Sequence, residues 1–175
     1  MGIENLIHAL KDVIEKAPDV YLVIGGEGSQ KKKLVKLVRD RGLEKFISFV
    51  GFIPDEELSD YYRMADLFVL PTRELEGFGL ITLEAMASGL PVLGTPVGGT
   101  KEILGKVYSH FIFEDTGADS MAKLISEIYL LIKQNPRRWE EISHQCRRYV
   151  ENNFSWEKSI DSLEMLFMHH LGKLN

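Results

Sequence analysis

Residues 67–94 read LFVLPTRELEGFGLITLEAMASGLPVLG, and their pattern decides the fold. Leu67-Phe68-Val69-Leu70 is a short apolar run without polar alternation, and Pro71 ends it. Strands of this kind are buried on both faces, as in a parallel sheet covered by helices. Leu80 to Ser88 then has helical composition, and Pro91 to Gly94 is again short and apolar. Strand, glycine-bearing loop, helix and strand make up the unit from which parallel α/β sheets are assembled.

The same alternation extends in both directions. Toward the start, Leu6, Ile7, Leu10, Val13 and Ile14 fall on one face of a helix over Ile3 to Lys16. A strand over Tyr21 to Ile24 closes at Gly25-Gly26, and Ser29 is the expected cap of the next helix, which ends at Gly42. Phe46 to Val50 reads as a second strand, and Pro54-Asp55-Glu56-Glu57 opens a short helix with acids where the helix dipole favours them. Beyond Gly94 come a loop at Gly98-Gly99, a last short strand near Phe111-Ile112-Phe113, and three helices over residues 119–134, 136–152 and 155–171. The predicted fold is α/β, a doubly wound parallel sheet in a single domain over residues 1–175, with a terminal helix at 155–171. In such sheets ligands bind beyond the carboxyl ends of the strands.

Composition narrows the function classes. A chain of 175 residues suits one full core and is short for two. With a net charge of −5 and only brief cationic clusters at Lys31-Lys32-Lys33 and Arg147-Arg148, no basic face points to a nucleic acid. Cys146 is the sole cysteine, which excludes an internal disulfide and suits a reducing compartment. Arg147 and Arg148 beside it are of a kind that lowers a thiol pKa, but no His–Asn arrangement follows to make it a nucleophile. No apolar run approaches membrane-spanning length and no secretion signal is visible, so a cytoplasmic location is expected. The five histidines lack metal-ligand spacing. Tyr61-Tyr62 are expected to pack on the sheet, and Asp60 and Asp66 to cap helices or face solvent.

Four strand-end loops are the places to seek chemistry. Gly25-Gly26-Glu27-Gly28-Ser29 allows close backbone approach to an anion, but Lys31 stands where a dinucleotide fingerprint needs its third glycine. A plain turn with solvated lysines fits it equally well. Gly51-Phe52-Ile53-Pro54 holds no catalytic side chain. The third loop is the informative one. Glu76 precedes the helix and Glu84 lies within it, while Gly77 and Gly79 flank Phe78 so that backbone N–H groups can meet a diphosphate. The two carboxylates are suited to accept hydrogen bonds from sugar and ribose hydroxyls. Thr95-Pro96-Val97-Gly98-Gly99-Thr100-Lys101-Glu102 is a second glycine-rich strand end, and a structural turn explains it as readily.

These residues resemble the group 1 (GT4-type) glycosyltransferases of GT-B fold. The resemblance is carried by Glu76 to Val92, by Val97 to Ile103, by Phe49 to Pro71 and by Phe154-Ser155-Trp156, and it covers nearly the whole chain. It implies the C-terminal, donor-binding domain of a retaining hexosyl transferase, of mannosyl or glucosyl type, that acts on a nucleoside-diphosphate sugar to build a glycan or lipid product. By matched position Glu76 contacts the donor sugar as the catalytic carboxylate, and Glu84 holds the ribose. Gly77 and the backbone of Phe78, Gly79 and Leu80 face the sugar and diphosphate. Phe52 and Ile53 hold the base, and Gly26 and Gly28 lie near the phosphates. No metal and no cofactor is expected.

The departures from the family matter as well. The resemblance implies a preceding acceptor domain as partner, and peripheral membrane association of such a full enzyme. It also implies an upstream central strand and a cationic Arg and Lys that have no counterpart here. The isolated chain is therefore expected to be nearly inactive, with open strand edges that invite a homodimer, and with the Trp156, Leu163, Leu166 and Phe167 face of the last helix exposed. Rival readings are a nucleotide-sugar epimerase, a sucrose or glycogen synthase, a non-catalytic nucleotide-sugar-binding module, and an α/β domain whose glycine loops are only turns.

Overall fold

Four short parallel strands, each followed by a helix, organise the chain. The structure, a computed structural model, describes residues 2–74 and 77–171. Helix α1 (Ile3–Lys16) leads to β1 (Leu22–Gly25), α2 (Lys31–Asp40), β2 (Ile47–Gly51) and α3 (Asp55–Met64). Then follow β3 (Phe68–Leu70), α4 (Leu80–Ala87), β4 (Val92–Gly94) and α5 (Gly98–Val107). The chain continues through α6 (Ala118–Gln134), α7 (Pro136–Asn153) and α8 (Trp156–Leu171).

Strand β1 pairs in parallel with β2, from Leu22 opposite Ile47 to Gly25 opposite Gly51, with an irregularity between Ile24 and Gly25. Strand β3 pairs in parallel with β4, Phe68 opposite Val92 and Leu70 opposite Gly94. Among the described residues no ladder joins β1 to β3, so the strands form two pairs where a single sheet was expected. The expected strand near Phe111-Ile112-Phe113 reduces to one parallel bridge between Ile112 and Gly94, because Ser109–Phe111 winds into a 3-10 turn just before it. Ser29 does not cap α2. Gln30 holds the cap position without a side-chain bond, and Lys33 in the first turn finds its counter-charge in Glu4 at 2.8 Å.

The apolar spacing of α1 does what its sequence implies: Ile7, Ala9 and Val13 are fully buried, and α1 lies along α6. Asn5 secures that packing by donating to the Thr116 carbonyl at 2.7 Å. Helix α4 is apolar nearly all round and is sandwiched accordingly, with Ala85 and Met86 fully buried and α7 packed against it. Around β4 the core is aromatic: Phe111 stacks on Tyr108 and meets Trp139 at 6.0 Å. The Trp139 indole N–H donates to the Asp66 carbonyl at 3.2 Å, fixing α7 to the loop that enters β3. Along α8, Trp156, Leu163, Leu166 and Phe167 are exposed, as expected. Among the described residues no helix is long and apolar enough to cross a membrane.

Cys146 corrects an expectation. Its neighbours Arg147 and Arg148 lie on the outer face of α7, while the thiol itself faces the core. Burial pushes it up to about 12, the reverse of the lowering that two adjacent arginines suggest. The thiol is therefore inert in the native chain. At pH 8 a disulfide-exchange chromogen should titrate no thiol in buffer and the single one in denaturant; rapid native reaction would show that α7 does not seal it.

Candidate functional site

The loops after β1 and β3 lie at one end of the fold. Glu4, in the first turn of α1, bonds Lys33 at the start of α2 and also feels the charge of Arg73 in the loop after β3. Lys33 is the main reason the Glu4 carboxyl is held below its usual range. Gly2 sits directly under this loop, where a Cβ would collide with the Pro71 carbonyl oxygen. The first turn of α1 thus stands between the two strand pairs.

In the loop after β3, Gly79 caps α4 in the left-handed region with φ of 84°, a conformation that side chains rarely adopt. Its carbonyl accepts from the N–H groups of Thr82 and Leu83. The first N–H groups of a helix have no intrahelical partner, and α4 carries no acid in its first turn and no side-chain cap. Its N-terminus is therefore open to an anionic ligand. Phe78 and Leu80 flank it, each 63% exposed.

A second helix start locks this turn in place. The N–H of Gly99 donates to the Gly77 carbonyl at 3.0 Å. A Cβ on Gly99 would overlap the Phe78 carbonyl group, so the backbones meet with no room for a side chain. Beneath that contact, the hydroxyls of Thr82 and Thr100 share a hydrogen bond of 2.6 Å, both residues fully buried. Thr95 adds a bond of 2.6 Å to the Thr72 carbonyl. The glycine-rich segment after β4 is thus a clamp on the loop after β3 as well as a turn.

Glu84 is exposed on α4, and the Tyr62 hydroxyl donates to its Oε2 at 3.4 Å. Tyr62 is buried at the end of α3 with its ring edge-on to Phe68 at 5.6 Å. Burial raises the phenol pKa first, and the Glu84 charge and the hydrogen bond raise it further. Expected only to pack, Tyr62 does so and also reaches the candidate site. The signal available in the sequence was its hydroxyl, since a buried phenol needs a polar partner.

The other expected residues gather at the β1–β2 pair. Gly26 donates to the Gly51 carbonyl at 2.6 Å, which ties the two strand-end loops together. Phe52 is 71% exposed, and the Ile53 side chain lies over Gly25, where a Cβ would stand 2.6 Å from Ile53 Cδ1. Gly28 lies in the same exposed loop. Two neighbourhoods therefore result: Gly26, Gly28, Phe52 and Ile53 in one, and Gly77, Phe78, Gly79, Leu80 and Glu84 in the other. Glu76 lies outside the described residues. Among the described residues no three His, Cys, Asp or Glu side chains gather as a metal site. A groove of about 410 Å³ between α5 and α7, at Lys106 and Arg148, lies away from these loops, whereas one of about 270 Å³ near Asp66 and Glu140 is lined in part by Tyr62 and Ser88 and so borders the Glu84 neighbourhood.

Comparison with known proteins bears on the family and the fold. The family described as "Glycosyl transferases group 1" matches residues 1–152. A GDP-mannose-dependent alpha-(1-6)-phosphatidylinositol monomannoside mannosyltransferase of Mycolicibacterium smegmatis is 29% identical over 161 residues, covering 89% of this chain and 41% of that protein. The chain thus spans about two fifths of that curated relative. The C-terminal domain of a glycosyl transferase group 1 family protein (LpcC) from Francisella tularensis superposes with a TM-score of 0.72 at 30% identity, covering 89% of this chain and 80% of that one. A variant of S. aureus TarM, in a complex that includes UDP, gives a TM-score of 0.80 at 26% identity, covering 94% of this chain and 32% of that one.

The clamp has a direct test in two alanines on one helix. Gly99→Ala should destabilise the chain by roughly 1–3 kcal/mol, because the added methyl has no space. Gly105→Ala, with nothing within 4 Å of the new carbon, should stabilise it by about 0.5–1 kcal/mol through helix propensity. Urea denaturation measures both, and equal effects would remove the case for a clamp.

Proposed function

This chain belongs to the glycosyl transferases group 1 family, and from that premise we propose that it is the donor-binding part of a retaining glycosyltransferase. The donor is a nucleoside-diphosphate hexose, with mannose the first choice and glucose or N-acetylglucosamine close behind. The observation that carries the reading is the uncapped α4 N-terminus at left-handed Gly79, clamped by Gly99 and followed within α4 by the exposed carboxylate of Glu84.

Each part has a chemical role. The N–H groups at Phe78, Gly79 and Leu80, aimed along the α4 dipole, meet the diphosphate and stabilise the charge that grows as the glycosidic bond breaks. Glu84 accepts from ribose hydroxyls, and Glu76 accepts from hydroxyls of the hexose. The loops at Gly26, Gly28, Phe52 and Ile53 receive the base and the inner phosphates. A GDP-mannose-dependent relative and a TarM complex with UDP support a nucleotide sugar, guanine or uracil linked.

Transfer itself needs an acceptor site, which the greater length of the relatives can house; we assign it to a separate domain. On this reading the 175-residue chain binds donor and transfers little.

Calorimetric titration with UDP, GDP, ADP and their common sugars tests the assignment. One nucleoside diphosphate should bind selectively, and Glu84→Ala should weaken it roughly 10- to 100-fold, as loss of bonds to a charged group does. Glu76→Ala should remove only the increment due to the hexose. Binding by none of the nucleotides, or binding indifferent to both substitutions, would overturn the proposal.

A further inference from the structure

We propose that Tyr62 is a positioning residue for the nucleotide: its phenol holds the Glu84 carboxylate from the core side and leaves the second carboxylate oxygen aimed at a ribose hydroxyl. This rests on the donor-site reading above.

The two side chains differ sharply in environment. Tyr62 is 6% exposed, and its ring is fixed edge-on against Phe68, at 88° between planes. Glu84 is exposed on the second turn of α4. An exposed glutamate samples many rotamers, and a ligand that uses it must first suppress them. The phenol removes part of that cost beforehand, because it meets one oxygen, Oε2, from a buried ring packed against Phe68.

Nothing else among the described residues does this. Arg63, next to Tyr62, is engaged by Asp60 at 2.5 Å, and the Ser88 hydroxyl bonds the Glu84 carbonyl and not its carboxylate. The phenol remains a donor throughout the neutral range, since burial and the Glu84 charge both oppose its ionisation. At 3.4 Å the contact is longer than a normal O–H···O bond of about 2.5–3.0 Å, and a ligand on the outer oxygen has room to tighten it. Phenylalanine would fill the same core space, so the hydroxyl is needed for the bond and for nothing in the packing.

The test compares ribose with deoxyribose. Wild type, Tyr62→Phe, Glu84→Gln and the double variant are titrated with GDP and UDP and with their 2′-deoxy and 3′-deoxy forms, after circular dichroism confirms the fold. Tyr62→Phe should weaken the ribonucleotide about three- to tenfold, the effect of one hydrogen bond. It should leave at least one deoxy form unchanged, so that the preference for ribose shrinks. The double variant should show no more loss of that preference than Glu84→Gln alone. An equal loss on ribo and deoxy forms would mean that Tyr62 only supports the fold, and would overturn the inference while the donor site stands. So would a Glu84→Gln effect with no Tyr62→Phe effect. Failure of wild type to bind any nucleotide would overturn the donor-site reading and this inference with it.

Discussion

The contact between Gly99 and the Phe78 backbone is the constraint on which the rest of this end of the molecule depends. Two adjacent parallel strands, β3 and β4, each release a helix from the same end. The two helix starts must share one small volume above the pair. They can do so only if one of them carries no side chain where they touch, and Gly99 meets that need. The Thr82–Thr100 hydroxyl bond below it satisfies two buried polar groups with each other, which leaves neither as a cost to the core. Once those helices are interlocked, the direction of α4 is set, and so are the direction of its dipole and the place of Glu84.

The contrast between α3 and α4 shows why the open end matters. Helix α3 begins with Asp55, Glu56 and Glu57, acids that complement its own dipole. Helix α4 begins with Leu80, Ile81 and Thr82 and has no acid in that turn. Among the described residues its positive end has no acid in its own first turn, and it stands beside the Gly77–Gly79 turn that Gly99 holds. Rigidity is what makes such an end useful, because donors already aimed need not reorganise when negative charge arrives. Tyr62 extends the same logic to Glu84, which the clamp places but does not orient.

Much of this was legible in the residues themselves. Apolar runs without alternation located β1 to β4 within a residue or so, although the burial on both faces that such runs imply holds only for β4, with β1 to β3 partly exposed. The 3.6-residue spacing located the helices, as α1 illustrates with Ile7, Ala9 and Val13 buried. What escaped was whatever depends on partners distant in sequence. Ser29 has the chemistry of a cap, yet the helix begins one residue later than its geometry requires. Phe111 and Phe113 have strand composition, but both are drawn fully into the core beside a 3-10 turn and only Ile112 is left to bridge. Cys146 has arginines next to it in sequence and apolar atoms next to it in space, and the second set decides its pKa. In the candidate site, the glycines and Glu84 were readable from the third loop alone. The clamp by Gly99 and the bond from Tyr62 were not, since each joins residues about twenty positions apart.

The central claim is that a nucleoside diphosphate lies against the start of α4. Backbone amide shifts of the isotopically labelled chain, followed during titration with GDP and with UDP, test it most directly because they locate the ligand residue by residue. The account predicts that the largest changes fall at Phe78, Gly79, Leu80 and Gly99, with a second group at Gly26 and Ile53. Shifts confined to the groove between α5 and α7 at Lys106 and Arg148, with the α4 start unmoved, would contradict it.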